Sequence, residues 1–279
     1  MSYIGFYINL DRSIERRSHM EVQLARFQVQ DIYRRFAAAD GNVLGLPNSR
    51  LTIGEIGCFI SHYMVLRQNI GCRNHIHVIE DDTVISDVMR FAINQFTSSD
   101  SLETYDMIFT NTGLLAKDIV DCKRRFEDTK IIRDSSGQVV SCNLGSIEFR
   151  SCMSSYIVNF HSLPKILGLY EGHLHKRAEL PVDLFIRTMV QQRKLRAMCL
   201  FPFITTVSPG IESTIDGRSG NIESRLSFDI VRRSFFINRD LKELMSETER
   251  LIPYDQEDIF AGVLSRNLHF IMGAEHDQF

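Results

Sequence analysis

The chain has 279 residues, 44% of them hydrophobic and 24% charged, which is the composition of a globular protein large enough to bury a core. A formal net charge of −3 at pH 7 leaves no overall basic surface, so nucleic acid is not an expected partner. The sequence starts without the pattern of a secretory signal, and no apolar run approaches the roughly 18 residues of a membrane span, so we expect a cytoplasmic protein.

Apolar and amphipathic segments alternate along the chain. The segment after Ser13 has helical spacing, and a capping box at Thr52 and Glu55 begins a helix over Leu51–Ile70. Strands alternating with helices predict an α/β fold. Apolar runs predict strands at Tyr3–Leu10, Ile32–Ala38, His75–Ile79, Asp106–Thr110 and Ser155–Phe160. Further helices are predicted at Leu184–Gln191 and Asp240–Leu251.

The stretch from residue 117 to residue 143 is polar and charged. Within it, Asp134-Ser135-Ser136-Gly137 is typical of a hairpin turn. The length and polarity of the stretch favour a mobile loop over the edge of the sheet.

Three consecutive carboxylates, Glu80, Asp81 and Asp82, follow the third predicted strand. Ligands of open α/β sheets bind beyond the carboxyl ends of strands, and charges this close repel one another unless something compensates. Because side chains alternate in extended chain, Glu80 and Asp82 are expected to point the same way and to hold one hard cation, Mg²⁺ or Mn²⁺. The alternative is a loop of solvated acids.

Arg12, Arg16 and Arg17 lie near the first turn of the first predicted helix. The helix dipole disfavours cations there. A bound anion would reverse this, because exposed N–H groups and a guanidinium suit a diphosphate. The pattern therefore indicates a nucleotide site, unless these arginines simply face solvent.

An ordered set of motifs resembles glycosyltransferase family 25, which includes bacterial lipooligosaccharide galactosyltransferases and the collagen galactosyltransferases. The order and spacing agree over roughly the first 215 residues. The resemblance implies a GT-A type nucleotide-diphospho-sugar transferase fold with a mixed central sheet flanked by helices. It also implies a UDP-sugar donor, most often UDP-galactose, and inversion at the anomeric carbon. The motifs are Ile8-Asn9-Leu10 with Arg16-Arg17, Ala39-Asp40-Gly41, Leu51-Thr52-x-Gly54-Glu55-Ile56-Gly57-Cys58 with Ser61-His62, Glu80-Asp81-Asp82, Pro181-Val182-Asp183 and Ser213-Thr214-Ile215.

The resemblance assigns the donor nucleotide to the end of the first strand and its neighbours. The strand end and the turn at Asp40 would hold uracil and ribose, Arg16 would lie near the diphosphate, and Asp81 would contact the ribose or a metal-bound water. The residues expected to bind the nucleotide are Asn9, Leu10, Asp11, Arg16, Asp40 and Asp81.

The same resemblance implies a divalent metal, Mn²⁺ or Mg²⁺, at Glu80 and Asp82, with Asp82 the first choice for a direct ligand. Inversion needs a carboxylate that takes the proton of the acceptor hydroxyl. Asp183 is the candidate base, with Asp118 or Asp121 as alternatives. A structural role as N-cap of the helix Leu184–Gln191 would also explain Asp183.

Several other matched residues have structural explanations. Glu55 closes the capping box, while Gly54 and Gly57 allow the helix to approach its neighbour. His62 lies beside the inner stripe of the helix and is more typical of a hydrogen-bonded core histidine than of a ligand. The six cysteines, which lack metal-binding pairs, predict reduced and mostly buried thiols.

Beyond Arg218 the resemblance fades. We therefore predict a GT-A-like domain over residues 1–218 and a helical extension over residues 219–279 packed on it. In the extension, Arg232-Arg233 beside Phe235-Phe236 would suit peripheral docking on the anionic inner face of a membrane, where a lipid-linked oligosaccharide acceptor would lie. The alternative is a helix packed on the domain.

Together these features predict an inverting, metal-dependent glycosyltransferase that moves galactose from UDP-galactose onto a glycan such as lipooligosaccharide. One alternative is a phosphohydrolase of the haloacid dehalogenase type, since an apolar strand followed by acid-x-acid-Thr also fits that class, although Glu80 stands where its nucleophilic aspartate would be. The other is a family member that binds nucleotide without transferring sugar.

Overall fold

The computed structural model describes residues 3–44, 50–98, 101–114, 118–176, 178–209 and 229–251, without the side chains of residues 101 and 248–251. The chain forms a mixed α/β structure, as predicted. Its strands are β1 (Tyr3–Asn9), β2 (Tyr33–Ala37), β3 (His75–Glu80), β4 (Thr83–Ile85), β5 (Met107–Phe109), β6 (Ile131–Arg133), β7 (Val139–Cys142), β8 (Gly145–Ile147), β9 (Ser155–Val158), β10 (Ala197–Phe201) and β11 (Thr205–Val207). Its helices are α1 (Ile14–Arg26), α2 (Gly41–Leu44), α3 (Ile53–Arg67), α4 (Met89–Ser98), α5 (Ser101–Thr104), α6 (Ile119–Glu127), α7 (Leu163–His175), α8 (Val182–Gln191) and α9 (Leu241–Leu251).

A seven-stranded sheet with the order β2-β1-β3-β9-β5-β10-β8 forms the centre of the molecule. β1 runs parallel to β2 and β3, whereas β9 is antiparallel to β3 and β5. The register aligns Asn9 with Ala37 and Ile8 with Glu80. The carboxyl ends of β1, β2 and β3 therefore meet at one edge of the sheet, where ligands of such sheets bind.

The two faces of the sheet bury separate apolar clusters. Phe6 packs in one cluster with Phe59 of α3, together with residues of α7 and α8. Tyr7, its neighbour in sequence, packs in the other with Met20 of α1 and residues of α4. This alternation is the reason why β1 reads as a continuous apolar run, since a strand covered on both faces has no polar side.

The five predicted strands are present as β1, β2, β3, β5 and β9, and the capping box at the start of α3 is confirmed. The Thr52 N–H donates to the Glu55 carboxylate at 2.7 Å, and the Glu55 N–H donates to the Thr52 hydroxyl at 3.3 Å. None of the helices in the described ranges combines the length and apolar character needed to cross a bilayer.

The polar stretch predicted as a mobile loop is largely regular structure. It contains α6 and a hairpin of β6 and β7. The predicted turn at Asp134 closes this hairpin, because its carboxylate accepts the N–H groups of Ser136 and Gln138 at 2.8 Å and 3.0 Å. The loop prediction was wrong because the two strands of this hairpin are only three and four residues long and largely exposed, so their paired Ile and Val residues do not form the longer apolar run that marks a buried strand.

The segment predicted to dock on a membrane is packed inside the protein. Residues 229–234 are helical. Arg232 and Arg233 are only 3% and 7% exposed, and Phe235 and Phe236 are buried as well. Arg233 pairs with Glu247 of α9 at 2.5 Å. The membrane prediction is therefore wrong for these four residues, and the alternative of a segment packed on the domain is correct for them. The Ser213-Thr214-Ile215 motif and the predicted boundary at residues 218 and 219 lie outside the described residues.

Candidate active site

A cavity of about 480 Å³ opens at the edge of the sheet where β1, β2 and β3 end. Four carboxylates and two arginines line it, a formal balance of −2, so the cavity favours cations over free anions. Among its lining residues are Leu10, Arg12, Arg16, Asp40, Cys58, His62, Glu80, Asp81 and Asp82.

Helix α3 forms one wall of the cavity because it approaches the β2–α2 connection very closely. A Cβ atom on Gly57 would lie 2.7 Å from the carbonyl oxygen of Ala39, so any side chain here would force α3 or the Ala39 backbone to shift. Ser61 fixes this approach, since its hydroxyl accepts the Ala39 N–H at 2.9 Å and donates to the Gly57 carbonyl at 2.6 Å. The predicted role of Gly57 is confirmed.

The three acids divide between two walls of the cavity. β3 ends at Glu80, whose carboxylate lies 3.1 Å from His62 Nε2. Asp81 and Asp82 form a turn and both face α1, where Arg16 Nη2 lies 2.5 Å and 2.8 Å from their carboxylates. Side-chain alternation stops where the strand ends, so the neighbouring residues Asp81 and Asp82 contact the same guanidinium, while Glu80 contacts α3.

The acidic turn is held on both sides by backbone pairing. β4 follows it directly and pairs with β11 in a separate two-stranded sheet. The Asp82 carbonyl accepts the Ser208 N–H at 2.7 Å, and the Glu80 N–H donates to the Ser154 carbonyl at 2.7 Å.

The electrostatics of the turn indicate incomplete charge compensation. Burial and the nearby Glu80 raise the pKa of Asp82 to about 7, although Arg16 opposes this. Burial also raises the pKa of Asp81, again against Arg16. Burial acts in the same direction on Glu80, but the hydrogen bond and charge of His62 outweigh it, so its pKa is lowered. Arg16 and the more distant charge of Arg232 both lower the pKa of Asp82, yet they do not outweigh its burial and the other two carboxylates.

The Asp82 side chain fits a divalent cation. Its Oδ2 contacts Arg16, but its Oδ1 is buried and has no hydrogen-bond partner among the described residues. A buried carboxylate oxygen without a partner is costly, and hard cations take such oxygens as ligands.

The sequence profile of glycosyltransferase family 25, described as an LPS biosynthesis protein, matches residues 3–183. The chain belongs to glycosyltransferase family 25. A "Glycosyltransferase 25 family member" of Drosophila pseudoobscura pseudoobscura is 30% identical over 124 residues, which cover 37% of this chain and 20% of that relative. Membership and the mixed, helix-flanked sheet together confirm the predicted GT-A-like fold, and they argue against the haloacid dehalogenase alternative.

Most of the family 25 residues predicted to bind nucleotide line the cavity, but two do not. Asn9 is buried behind it, where its amide donates to Asp81 Oδ2 at 2.6 Å and its oxygen accepts from Arg35 at 2.9 Å. The side chain of Asp11 is 81% exposed and pairs with Arg35. Asn9 therefore positions Asp81, while Asp11 faces away from the cavity. The predicted nucleotide-binding residues that line the cavity are Leu10, Arg16, Asp40 and Asp81.

The candidate base Asp183 lies in the first turn of α8 and outside the cavity lining. Both of its oxygens accept backbone N–H groups, from Leu184 at 2.8 Å and from Cys152 at 3.3 Å. It is not the N-cap, because Pro181 occupies that position. Its helix packs against α3 through the rings of Phe185 and Phe59, and its charge contributes to the raised pKa of the cavity side chain Cys58. The alternatives Asp118 and Asp121 line a different cavity.

Cys58 and His62 are site residues that sequence reasoning missed. His62 is buried, as predicted, and its Nδ1 lies 2.9 Å from Tyr156 Oη. Its Nε2 nevertheless faces Glu80, and Cys58 Sγ lies 3.5 Å from the same carboxylate oxygen. Their spacing of four residues, which places both on one face of a helix, was the available signal.

Proposed function

We propose that this chain transfers galactose from UDP-galactose to a glycan acceptor, with inversion and with the help of a divalent cation. The observation that carries the proposal is the buried Asp82 oxygen beside Arg16, which has no hydrogen-bond partner in the described part of the chain and lies in a cavity of about 480 Å³. Membership of family 25 supplies the reaction class.

The charge of the cavity supports the cation requirement. A diphosphate would enter a site whose formal balance is already −2, which is unfavourable without a cation between the two. Asp82 and Glu80 would hold Mn²⁺ or Mg²⁺. When bound, the ion neutralises charge on the departing UDP.

The arginines of α1 supply the other contacts for the donor. Arg16 already contacts Asp81 and Asp82. Its guanidinium lines the cavity, where it could also donate a hydrogen bond to a diphosphate oxygen. Arg12 pairs with Asp40 at the cavity wall. Leu10 offers an apolar surface for the base and ribose. These residues orient the donor rather than transfer protons.

For the acceptor we propose a lipooligosaccharide-type glycan, supported by the family description. Asp183 would accept the proton of the attacking hydroxyl. The effect of its charge on the pKa of the cavity thiol Cys58 supports this role.

Release of UDP from a panel of UDP-sugars in the presence of Mn²⁺ tests the proposal. UDP-galactose should be hydrolysed fastest, and chelation of the metal should stop the reaction. Asp82→Asn should release UDP at least about 100-fold more slowly than wild type, since replacing even a residue that only supports a metal ligand lowers metal affinity or activity 10–100-fold. Asp31→Asn, at an exposed position before β2, is the matched control.

Binding of UDP-galactose without any release of UDP would instead assign the chain to the non-catalytic alternative. If no UDP-sugar is bound or hydrolysed, the donor assignment is wrong.

A further inference from the structure

Cys58, His62 and Glu80 bring three different metal-binding atoms together at the α3 wall of the cavity. Cys58 Sγ, His62 Nε2 and one Glu80 carboxylate oxygen all lie within 4.8 Å of one another. α3 supplies the thiol and the imidazole from adjacent turns, and the end of β3 supplies the carboxylate. All three side chains line the cavity.

The distances match those between ligands around one tetrahedral zinc ion. Zinc lies about 2.3 Å from sulfur and about 2.0 to 2.2 Å from nitrogen or oxygen. Tetrahedral angles then place sulfur about 3.6 Å from oxygen, and nitrogen about 3.4 Å from oxygen. The structure has 3.5 Å from Cys58 Sγ to Glu80 Oε1 and 3.1 Å from His62 Nε2 to the same oxygen. Little movement is needed to admit an ion.

The surroundings of His62 suit a ligand. Its Nδ1 lies 2.9 Å from the hydroxyl of the buried Tyr156. A metal-bound histidine usually donates its second N–H to such a partner, which fixes the tautomer and the ring. The fourth position would face the cavity, the arrangement of zinc sites that keep one position for water or substrate.

We propose that Cys58, His62 and Glu80 form a site for a borderline-soft divalent ion of the Zn²⁺ class. Thiolate and imidazole ligands select Zn²⁺ over Mg²⁺ or Mn²⁺, which prefer oxygen. Burial and the neighbouring Glu80 raise the pKa of the Cys58 thiol, so the metal-free side chain carries its proton. The incoming ion displaces this proton to the solvent, and the sulfur–metal bond replaces the S–H bond.

This site shares Glu80 with the hard-cation site proposed at Asp82 but takes its other two ligands from a different element. Asp82 faces α1 and Arg16, whereas the Cys58 and His62 side chains belong to α3. Binding at the Cys58 site requires no UDP-sugar, so it can be measured whether or not sugar transfer occurs.

Titration of Co²⁺ into chelator-treated protein without donor tests the proposal. Cobalt bound to a thiolate gives a near-ultraviolet charge-transfer band that cobalt bound only to oxygen and nitrogen lacks. We expect this band in the wild type and its loss in Cys58→Ser. Cys72→Ser, at a half-buried cysteine outside the cavity lining, and Asp82→Asn should keep the band. Zn²⁺ should abolish it at equimolar amounts, and a large excess of Mg²⁺ should not.

Two further variants cover the case in which Cys58→Ser fails to fold. Glu80→Gln should weaken Co²⁺ binding more than tenfold, and Tyr156→Phe should weaken it about 10–100-fold, the usual effect of losing a supporting hydrogen bond. The proposal is overturned if wild-type protein shows no thiolate band, or if the band survives in folded Cys58→Ser.

Discussion

Replacing Arg16 by methionine removes the guanidinium that lies between two carboxylates of the acidic turn. Its contacts with Asp81 and Asp82 are 2.5 Å and 2.8 Å long and largely shielded from solvent. Removing one partner of a buried ion pair typically costs about 3 to 5 kcal/mol. We expect the lower end, about 3 kcal/mol at pH 7, because Asp82 with its pKa of about 7 can shed its charge by binding a proton.

The loss should depend on pH. Without Arg16, the pKa values of Asp81 and Asp82 in the folded protein rise further above the value of about 3.9 in the unfolded chain. The folded state then binds more protons than the unfolded state between roughly pH 4 and pH 7, so the variant gains stability as the pH falls through that range. The difference in unfolding free energy between Arg16→Met and wild type should therefore shrink at pH 5.

Urea unfolding followed by circular dichroism at pH 7 and pH 5 measures both effects. Arg17→Met is the matched control, because Arg17 is adjacent and exposed, and its ion pair among the described residues is with Glu21 of the same helix; it should change stability little. A loss in Arg16→Met no larger than in the control, or one that is the same at both pH values, would refute the reasoning.

Three further predictions concern other parts of the molecule. Asp183→Asn should lower sugar transfer about 10²–10⁴-fold with unchanged UDP-galactose affinity, as expected for a base; a lower melting temperature with unchanged turnover would show that Asp183 only stabilises the start of α8. His77 is buried with its pKa lowered to about 3 by desolvation, so the unfolded state binds an extra proton below about pH 6.5. Between pH 7 and pH 5, wild type should lose about 2 kcal/mol more unfolding free energy than His77→Gln, measured by urea unfolding. Gly57→Ala should cost about 1 to 3 kcal/mol in the same assay, because its methyl group meets the Ala39 carbonyl; a neutral effect would mean that α3 can move away.

The sequence predicted the part of the fold that depends on local patterns. The apolar runs of β1 and β3, the capping box of α3 and the turn at Asp134 all have short-range causes, and each is present. The location of the acids at the end of β3 followed from the same patterns. The directions of these side chains did not follow from the patterns. Side chains alternate only within a strand, and the residue at which β3 ends is set by its pairing with the neighbouring strands of the sheet.

Burial of charge was the main feature that the sequence could not predict. Arginines are rarely buried unless they are paired, so the sequence favoured an exposed position for Arg232 and Arg233. The structure buries Arg233 against Glu247, a partner 14 residues further along the chain. The spacing of Cys58 and His62 places them on one face of α3, but the sequence could not show that Glu80 joins them, since only tertiary packing brings its carboxylate to the other two side chains.

The clamping of the acidic turn has a consequence for how the cavity would respond to ligands. With Glu80 tied to Ser154 and Asp82 tied to Ser208, the carboxylates need little rearrangement before they take up an ion, so little of the ion's affinity is spent on ordering them. The pre-set geometry depends on a strand more than 120 residues away in sequence, since β11 and Ser208 hold the far side of the turn. A substitution that loosens β11 should therefore weaken ion uptake without touching any ligand atom.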